Sequence, residues 1–187
     1  MHTDSIHFLD VLKPDIFNIA VKITFWKKFM LRQLTLLFLF SLFSAGVAAA
    51  SLKLGDPAPE FKLLDLSGKT RTLAELRAKG PVLLFFWSTE CGFCRVMVPK
   101  IQKLYAERAA AGLTVAGIDI DFKMRAQVEE FVNTHKLGFL ILHGSLDNAD
   151  AVEAYGVPGT PTLVVVGRDG RVAYYGHILD DAARHIR

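Results

Sequence analysis

The chain has 187 residues, of which 51% are hydrophobic and 22% are charged, and its formal net charge is +3. This length favours a single domain, and the apolar content excludes intrinsic disorder for most of the chain. Residues 51–187 hold 17 Lys or Arg against 16 Asp or Glu. That part therefore lacks the basic field of a nucleic-acid-binding protein, and we expect no nucleic-acid partner.

The hydrophobic surplus is concentrated near the N terminus. Residues 34–50 contain no charged side chain, basic residues precede them, and the run ends in three alanines. This pattern is typical of a secretory signal peptide, so we interpret residues 30–50 as a signal peptide or, alternatively, as an uncleaved anchor that tethers the protein through residues 33–50. Met30 fits a normal signal start. We therefore expect residues 1–29 to be a mis-assigned upstream extension, residues 51–187 to form the folded domain, and the protein to be exported to the periplasm.

The folded part begins with a polar leading segment and two short extended pieces around the turn at Ser67-Gly68. Strands and helices then alternate, which implies an α/β fold with a parallel core and an antiparallel hairpin at one edge. Pro99 is expected to kink or break the longest helix. The predicted strands are 61–65, 69–72, 82–87, 113–118, 139–142, 162–166 and 171–175, and the predicted helices are 73–78, 92–111, 124–135, 148–155 and 180–187.

The only cysteines, Cys91 and Cys94, are spaced C-x-x-C. A disulfide across four residues removes little unfolded-state entropy, so the pair indicates chemistry rather than a structural scaffold. A zinc site needs four ligands, of which the two cysteines supply only two. Haem attachment needs a histidine at position 95, where this chain has Arg95. Neither use of the cysteines is therefore favoured. Cys91 falls where an apolar strand turns into a helix, and a helix N terminus favours the thiolate. This predicts Cys91 as the attacking thiol and Cys94, one turn later, as the resolving thiol.

Two segments resemble the thioredoxin family: WSTECGFCRVMVP at residues 87–99 and GVPGTPTL at residues 156–163. The opening GDPAPEF and LDLSGK, together with about 25 extra residues between Asp119 and Tyr155, resemble TlpA/ResA-like thiol-disulfide oxidoreductases. The resemblance implies a three-layer thioredoxin-like α/β fold with a mixed central sheet, an N-terminal β-hairpin and an inserted α/β segment.

The resemblance also implies a site. Thr160–Pro161 is expected to be a cis bond that faces the dithiol, with the Thr160 backbone offered to a partner. Trp87 and Phe93 are candidates for an apolar docking surface beside the sulfurs, although Trp87 fits the core equally well. The implied partners are protein disulfides or dithiols and a membrane-bound electron donor. The implied setting is cytochrome c maturation, with a preference for reduction, and no metal or cofactor is expected.

Three of the positions that depart from the family pattern bear on the proton of Cys94. Phe85 stands where thioredoxin has a buried Asp, and Gly117 stands where that Asp has a Lys partner. Met97 stands where ResA-like reductases often carry a Glu. The sequence therefore predicts no buried carboxylate to accept the proton of Cys94.

Two other functions remain open. The two cysteines with one histidine would make a copper site, although copper-delivery relatives of the fold use a wider cysteine spacing. A thiol peroxidase is the other alternative, but Thr89 does not fit the T-x-x-C pattern of peroxiredoxins. We interpret His135, His143 and His177 as surface or capping residues and Glu90 as a solvated charge.

Overall fold

The computed structural model describes residues 52–120, 125–143 and 147–186, together with the helical residues Trp26 and Met30. The chain divides into two units, one up to Ala48 and one from Ala49 onward. Apart from Trp26 and Met30, the predicted upstream extension (1–29) and the signal or anchor segment (30–50) lie outside the described residues. Among the residues described, no helix is both long and apolar enough to cross a membrane.

The described residues between 52 and 186 form seven strands and five α-helices. Helix α2 runs without interruption through Pro99, so the predicted break does not occur, and a short 3₁₀ turn, Ala109–Ala111, prolongs it. The elements are β1 (Lys62–Leu64), β2 (Thr70–Thr72), α1 (Leu73–Leu76), β3 (Val82–Trp87), α2 (Gly92–Arg108), β4 (Thr114–Asp119), α3 (Arg125–Thr134), β5 (Leu140–Leu142), α4 (Asp147–Ala154), β6 (Thr162–Val166), β7 (Val172–Gly176) and α5 (Leu179–Arg184).

The central sheet has five strands in the order β5-β4-β3-β6-β7. Strands β3, β4 and β5 are parallel, whereas β6 pairs antiparallel with both β3 and β7. Strands β1 and β2 form a separate antiparallel hairpin. The inserted segment supplies α3, α4 and the edge strand β5. The mixed sheet, the N-terminal hairpin and the α/β insertion are thus confirmed.

Strand β3 lies at the centre because all six of its residues are apolar and buried. Its side chains alternate between two core clusters, one on each face of the sheet. Phe85 and Trp87 belong to the cluster that holds Cys94 and the buried side of α2. Leu84 and Phe86 belong to the opposite cluster, which includes residues of α1, α4 and the hairpin. This arrangement gives the predicted three layers.

The hairpin turn is organised by the buried carboxylate of Asp65. It accepts hydrogen bonds from the Ser67 N–H at 2.8 Å, the Ser67 hydroxyl at 2.5 Å, the Lys69 N–H at 3.0 Å and Arg71 Nε at 2.8 Å. Burial acts to raise the pKa of Asp65, but these donors outweigh it and hold that pKa well below its usual range. The turn therefore depends on an ionised Asp65.

Candidate active site

The two cysteines sit at the start of α2. Cys91 is the N-cap of the helix, its Sγ lies 2.27 Å from Cys94 Sγ as a disulfide pair, and the Cys94 N–H donates to Cys91 Sγ at 3.0 Å. Cys91 is partly exposed, whereas Cys94 is fully buried. An external sulfur can therefore reach Cys91, while Cys94 is accessible only to its neighbour.

An apolar groove of about 570 Å³ is lined on the α2 side from Phe93, the residue that lies between the cysteines in the chain, to Lys100. Its lining includes Phe93, Met97, Thr160, Pro161 and Ile178, and we call it the apolar groove. Phe93, which lies between the cysteines in the chain, is 80% exposed, and Ile178 is 58% exposed. Three of the predicted site residues, Phe93, Thr160 and Pro161, thus share one surface.

Several of the residues that line this groove were not predicted as site residues. Val96 and Met97 lie three and four residues after Phe93 on α2, so helical spacing alone could have placed them beside it. His177 and Ile178 come from the chain just beyond β7, and no local pattern signals their position.

The loop at residues 156–161, which we call the proline loop, is held by hydrogen bonds to its carbonyl oxygens. The peptide bond between Thr160 and Pro161 is cis, as the resemblance predicts. Tyr175 Oη donates to Gly156 O at 2.8 Å, and Thr162 Oγ1 donates to Gly159 O at 2.7 Å. Within the described residues, the N–H and carbonyl of Thr160 take no part in a backbone hydrogen bond.

Trp87 lies in the core, so its predicted docking role is corrected in favour of the core alternative. Its indole is fully buried and packs against Phe85, with ring centroids 6.1 Å apart, and against Phe131 at 5.2 Å. Gly117 makes this possible, because a Cβ there would lie 3.0 Å from Trp87 Nε1. That nitrogen is buried and has no hydrogen-bond partner within the described part of the chain.

The surroundings of Cys94 are apolar. Phe85 packs in the same core cluster, and it faces Gly117 across the β3–β4 pairing. Met97 packs against this cluster and is only partly buried. The two positions at which relatives were expected to carry a carboxylate thus hold hydrocarbon and thioether groups in the structure.

A second groove, of about 390 Å³, lies between the active-site turn and helix α3 of the insertion. Its lining is mostly polar and includes Glu90, Arg95, Glu130 and His135. The Arg95 side chain donates from Nε to the Thr89 carbonyl at 2.9 Å, and both Glu90 and Arg95 are exposed.

His143 is not the surface residue that the sequence suggested. Its side chain is only 9% exposed, and its Nδ1 lies 2.7 Å from Oδ2 of Asp119, which is fully buried at the end of β4. The pair joins residues at the ends of two adjacent parallel strands, so its detection needed the strand order. Across the described ranges, no group of three or more His, Cys, Asp or Glu side chains is arranged to hold a metal ion.

Comparisons with known proteins identify this arrangement. The AhpC/TSA family matches residues 54–175. The chain is 33% identical over 122 residues to the thiol-disulfide oxidoreductase ResA of Bacillus thuringiensis (strain Al Hakam), covering 65% of this chain and 68% of that protein. It is 31% identical over 135 residues to ResA of Halalkalibacterium halodurans, covering 71% of this chain and 74% of that protein.

Solved structures give the same result. The thioredoxin domain of a thiol-disulfide oxidoreductase from Bacteroides vulgatus is 26% identical with a TM-score of 0.65, covering 72% of this chain and 95% of that chain. A thiol:disulfide interchange protein from Bacteroides sp. is 25% identical with a TM-score of 0.64, covering 71% and 87%. The chain therefore belongs to the AhpC/TSA family, and it is a thiol-disulfide oxidoreductase of thioredoxin fold that is similar to the ResA proteins.

Proposed function

We propose that this protein is an exported enzyme that reduces disulfides in other proteins through Cys91 and Cys94. The observation that carries the proposal is the cysteine pair at the N terminus of α2, with Cys91 partly exposed, Cys94 buried, and an apolar groove lined by Phe93, which lies between them in the chain. This arrangement suits an attacking thiol that meets a partner and a resolving thiol that releases it.

The reaction proceeds in two sulfur exchanges. The Cys91 thiolate attacks one sulfur of the partner disulfide, so a mixed disulfide forms and the first partner thiolate leaves. Cys94, as a thiolate, then attacks Cys91 Sγ, the Cys91–Cys94 bond forms, and the second partner thiolate leaves. The partner gains two electrons and takes up two protons, and the enzyme becomes oxidised. The N–H of Cys94, which donates to Cys91 Sγ, favours the thiolate required for the first attack.

The apolar groove gives the site a means to bind a polypeptide. Phe93, between the two cysteines in the chain, offers exposed apolar area, and the N–H and carbonyl of Thr160, which bond to no other backbone group among the described residues, suit main-chain pairing with an extended segment. We propose that Phe93, Thr160 and Pro161 bind the residues that flank the partner's cysteine. Protein thiols and disulfides are therefore the proposed partners.

The setting of the reaction rests on the sequence and on the family resemblance. Residues 30–50 have the composition of an export signal, so we propose a periplasmic enzyme, tethered through residues 33–50 if the segment is not cleaved. A membrane-bound donor would then return electrons to the oxidised pair. We propose cytochrome c maturation as the pathway and reduction as the direction on the resemblance alone.

Variants of the two cysteines test the mechanism. With insulin disulfides as the probe, Cys91→Ser should abolish reduction, whereas Cys94→Ser should accumulate a mixed disulfide that is visible on a non-reducing gel. Retained activity in Cys91→Ser would refute the assigned roles. A Cys91–Cys94 reduction potential close to that of thioredoxin, about −270 mV, supports a reductase, and a potential near about −120 mV would overturn the proposed direction. The mass of the mature native protein tests export and cleavage.

A further inference from the structure

His177 occupies a position that the reaction described above does not use. It follows β7 directly, its side chain is exposed, and its Nδ1 lies 2.6 Å from the carbonyl oxygen of Pro161. A carbonyl oxygen can only accept a hydrogen bond, so Nδ1 must carry the proton. The contact therefore fixes the orientation of the ring and the tautomer of the neutral imidazole.

This hydrogen bond completes the support of the proline loop. The carbonyl groups of Gly156, Gly159 and Pro161 each accept from a side chain on β6, on β7 or just beyond β7. Thr160, between the last two of these carbonyls, is left with an N–H and a carbonyl that bond to no other backbone group among the described residues. The loop is thus anchored on both sides of the residue that is open to a partner.

His177 also lines the apolar groove, together with Phe93 and Ile178. The same ring therefore contacts the loop and faces the space that a bound polypeptide would fill. The side chain lies beyond the last strand residue and is exposed, so it has no role in packing the core.

We propose that His177 is a positioning residue for protein substrates. By donating to the Pro161 carbonyl, it holds the Thr160 backbone in the orientation needed to pair with the extended segment around the partner's cysteine. This inference rests on the proposed exchange with protein thiols. It assigns to His177, a residue outside the cysteine motif, a role in the reaction with protein substrates but not with small disulfides.

Three variants distinguish the effect of the His177 hydrogen bond from the effect of its aromatic ring. His177→Phe keeps an aromatic ring without a donor, His177→Ala removes both, and His177→Asn restores a donor nitrogen on Cγ, where Nδ1 is attached. His185→Ala is the matched control, because His185 is also an exposed histidine but lies against Tyr174 instead. Each full-length variant is first checked for the unfolding midpoint of the wild type.

The assays compare a protein with a small disulfide. For insulin, the Phe and Ala variants should lose about tenfold in kcat/KM, mostly through KM, because one well-aligned hydrogen bond is absent. His177→Asn should recover most of this loss, and His185→Ala should match the wild type. With 5,5′-dithiobis(2-nitrobenzoic acid), which needs no backbone pairing, all variants should react at the wild-type rate.

Several outcomes would overturn the inference. They are wild-type insulin kinetics in His177→Phe, an equal loss with the small disulfide, or no recovery in His177→Asn. If the wild-type protein reacts with the small disulfide but not with any protein disulfide, the proposed function is wrong and this inference falls with it. If the wild type reduces both and the variants match it, the inference alone is wrong.

Discussion

Replacement of Asp65 by Asn tests how far one carboxylate stabilises the N-terminal hairpin. The carboxylate accepts two backbone N–H groups and the Ser67 hydroxyl, and its second oxygen accepts from Arg71 Nε at 2.8 Å. An Asn side chain keeps the size but has only one acceptor oxygen, so its NH₂ group would face the Arg71 donor. Loss of a hydrogen bond between two charged groups, with the partly buried Arg71 donor left without the Asp65 carboxylate, should lower the free energy of unfolding by about 2 kcal/mol.

The stabilisation by the Asp65 carboxylate should depend on pH. The pKa of folded Asp65 lies far below its usual value, so its contribution is complete above the unfolded pKa of about 3.9 and declines as the pH falls toward the folded pKa. The difference between wild type and Asp65→Asn should therefore be constant from about pH 7 to about pH 5 and shrink below about pH 4. Other carboxylates titrate in both proteins and cancel in the comparison.

Urea unfolding of the oxidised proteins at a series of pH values measures this difference. Asp169→Asn is the control, because Asp169 is exposed and, among the residues that the structure describes, accepts only the backbone N–H of Arg171. If the free energies of unfolding of wild type and Asp65→Asn differ by the same amount at about pH 7 and about pH 2.5, the shape of the side chain and not its charge accounts for the loss of stability. A gap below about 0.5 kcal/mol at neutral pH would show that the donors are satisfied equally well by water.

Three further changes probe the core and the resolving step. Gly117→Ala should lower the free energy of unfolding by roughly 1–3 kcal/mol, because the added methyl would meet the Trp87 ring nitrogen at 3.0 Å; an unchanged urea midpoint would contradict this packing. Tyr155→Phe removes the donor of a 2.7 Å hydrogen bond to a backbone carbonyl and should cost about 1 kcal/mol in the same assay, whereas a neutral effect would mean that this carbonyl finds another donor. Met97→Glu should make Cys94 resolve the mixed disulfide about tenfold faster near neutral pH, because a carboxylate close to Cys94 would accept its proton. Trapping of free thiols over time measures this rate. An equal gain in Met97→Gln would show that the carboxylate is not the cause.

The course of the chain through the fold could be predicted because local signals agree with each other. The six apolar residues of β3 predict a strand that is buried on both faces, and the two cysteines follow it at the start of a helix. The hairpin between β6 and β7 was signalled by Asp169-Gly170, where Gly170 has a positive φ of 79°. Element boundaries differ from the prediction by only a few residues.

What the sequence could not supply depends on strand order and register. The packing of the Trp87 indole in the core needs the space left by Gly117 on the neighbouring strand, 30 positions away in the chain. The His143–Asp119 pair needs β5 beside β4, and the His177–Pro161 contact needs the β6–β7 register, which includes a shift between Val165 and Val166. No pattern within a short window carries this information.

The stacked position of Trp87 in the core makes its intrinsic fluorescence a probe of the active site. The chain has two tryptophans, and Trp87 is the one that shares a core cluster with the buried sulfur of Cys94. The other, Trp26, lies in the first unit of the chain. The fluorescence of Trp87 should therefore change when the Cys91–Cys94 disulfide is reduced or formed. The redox state of the unlabelled enzyme can then be followed without a dye or a coupled reaction.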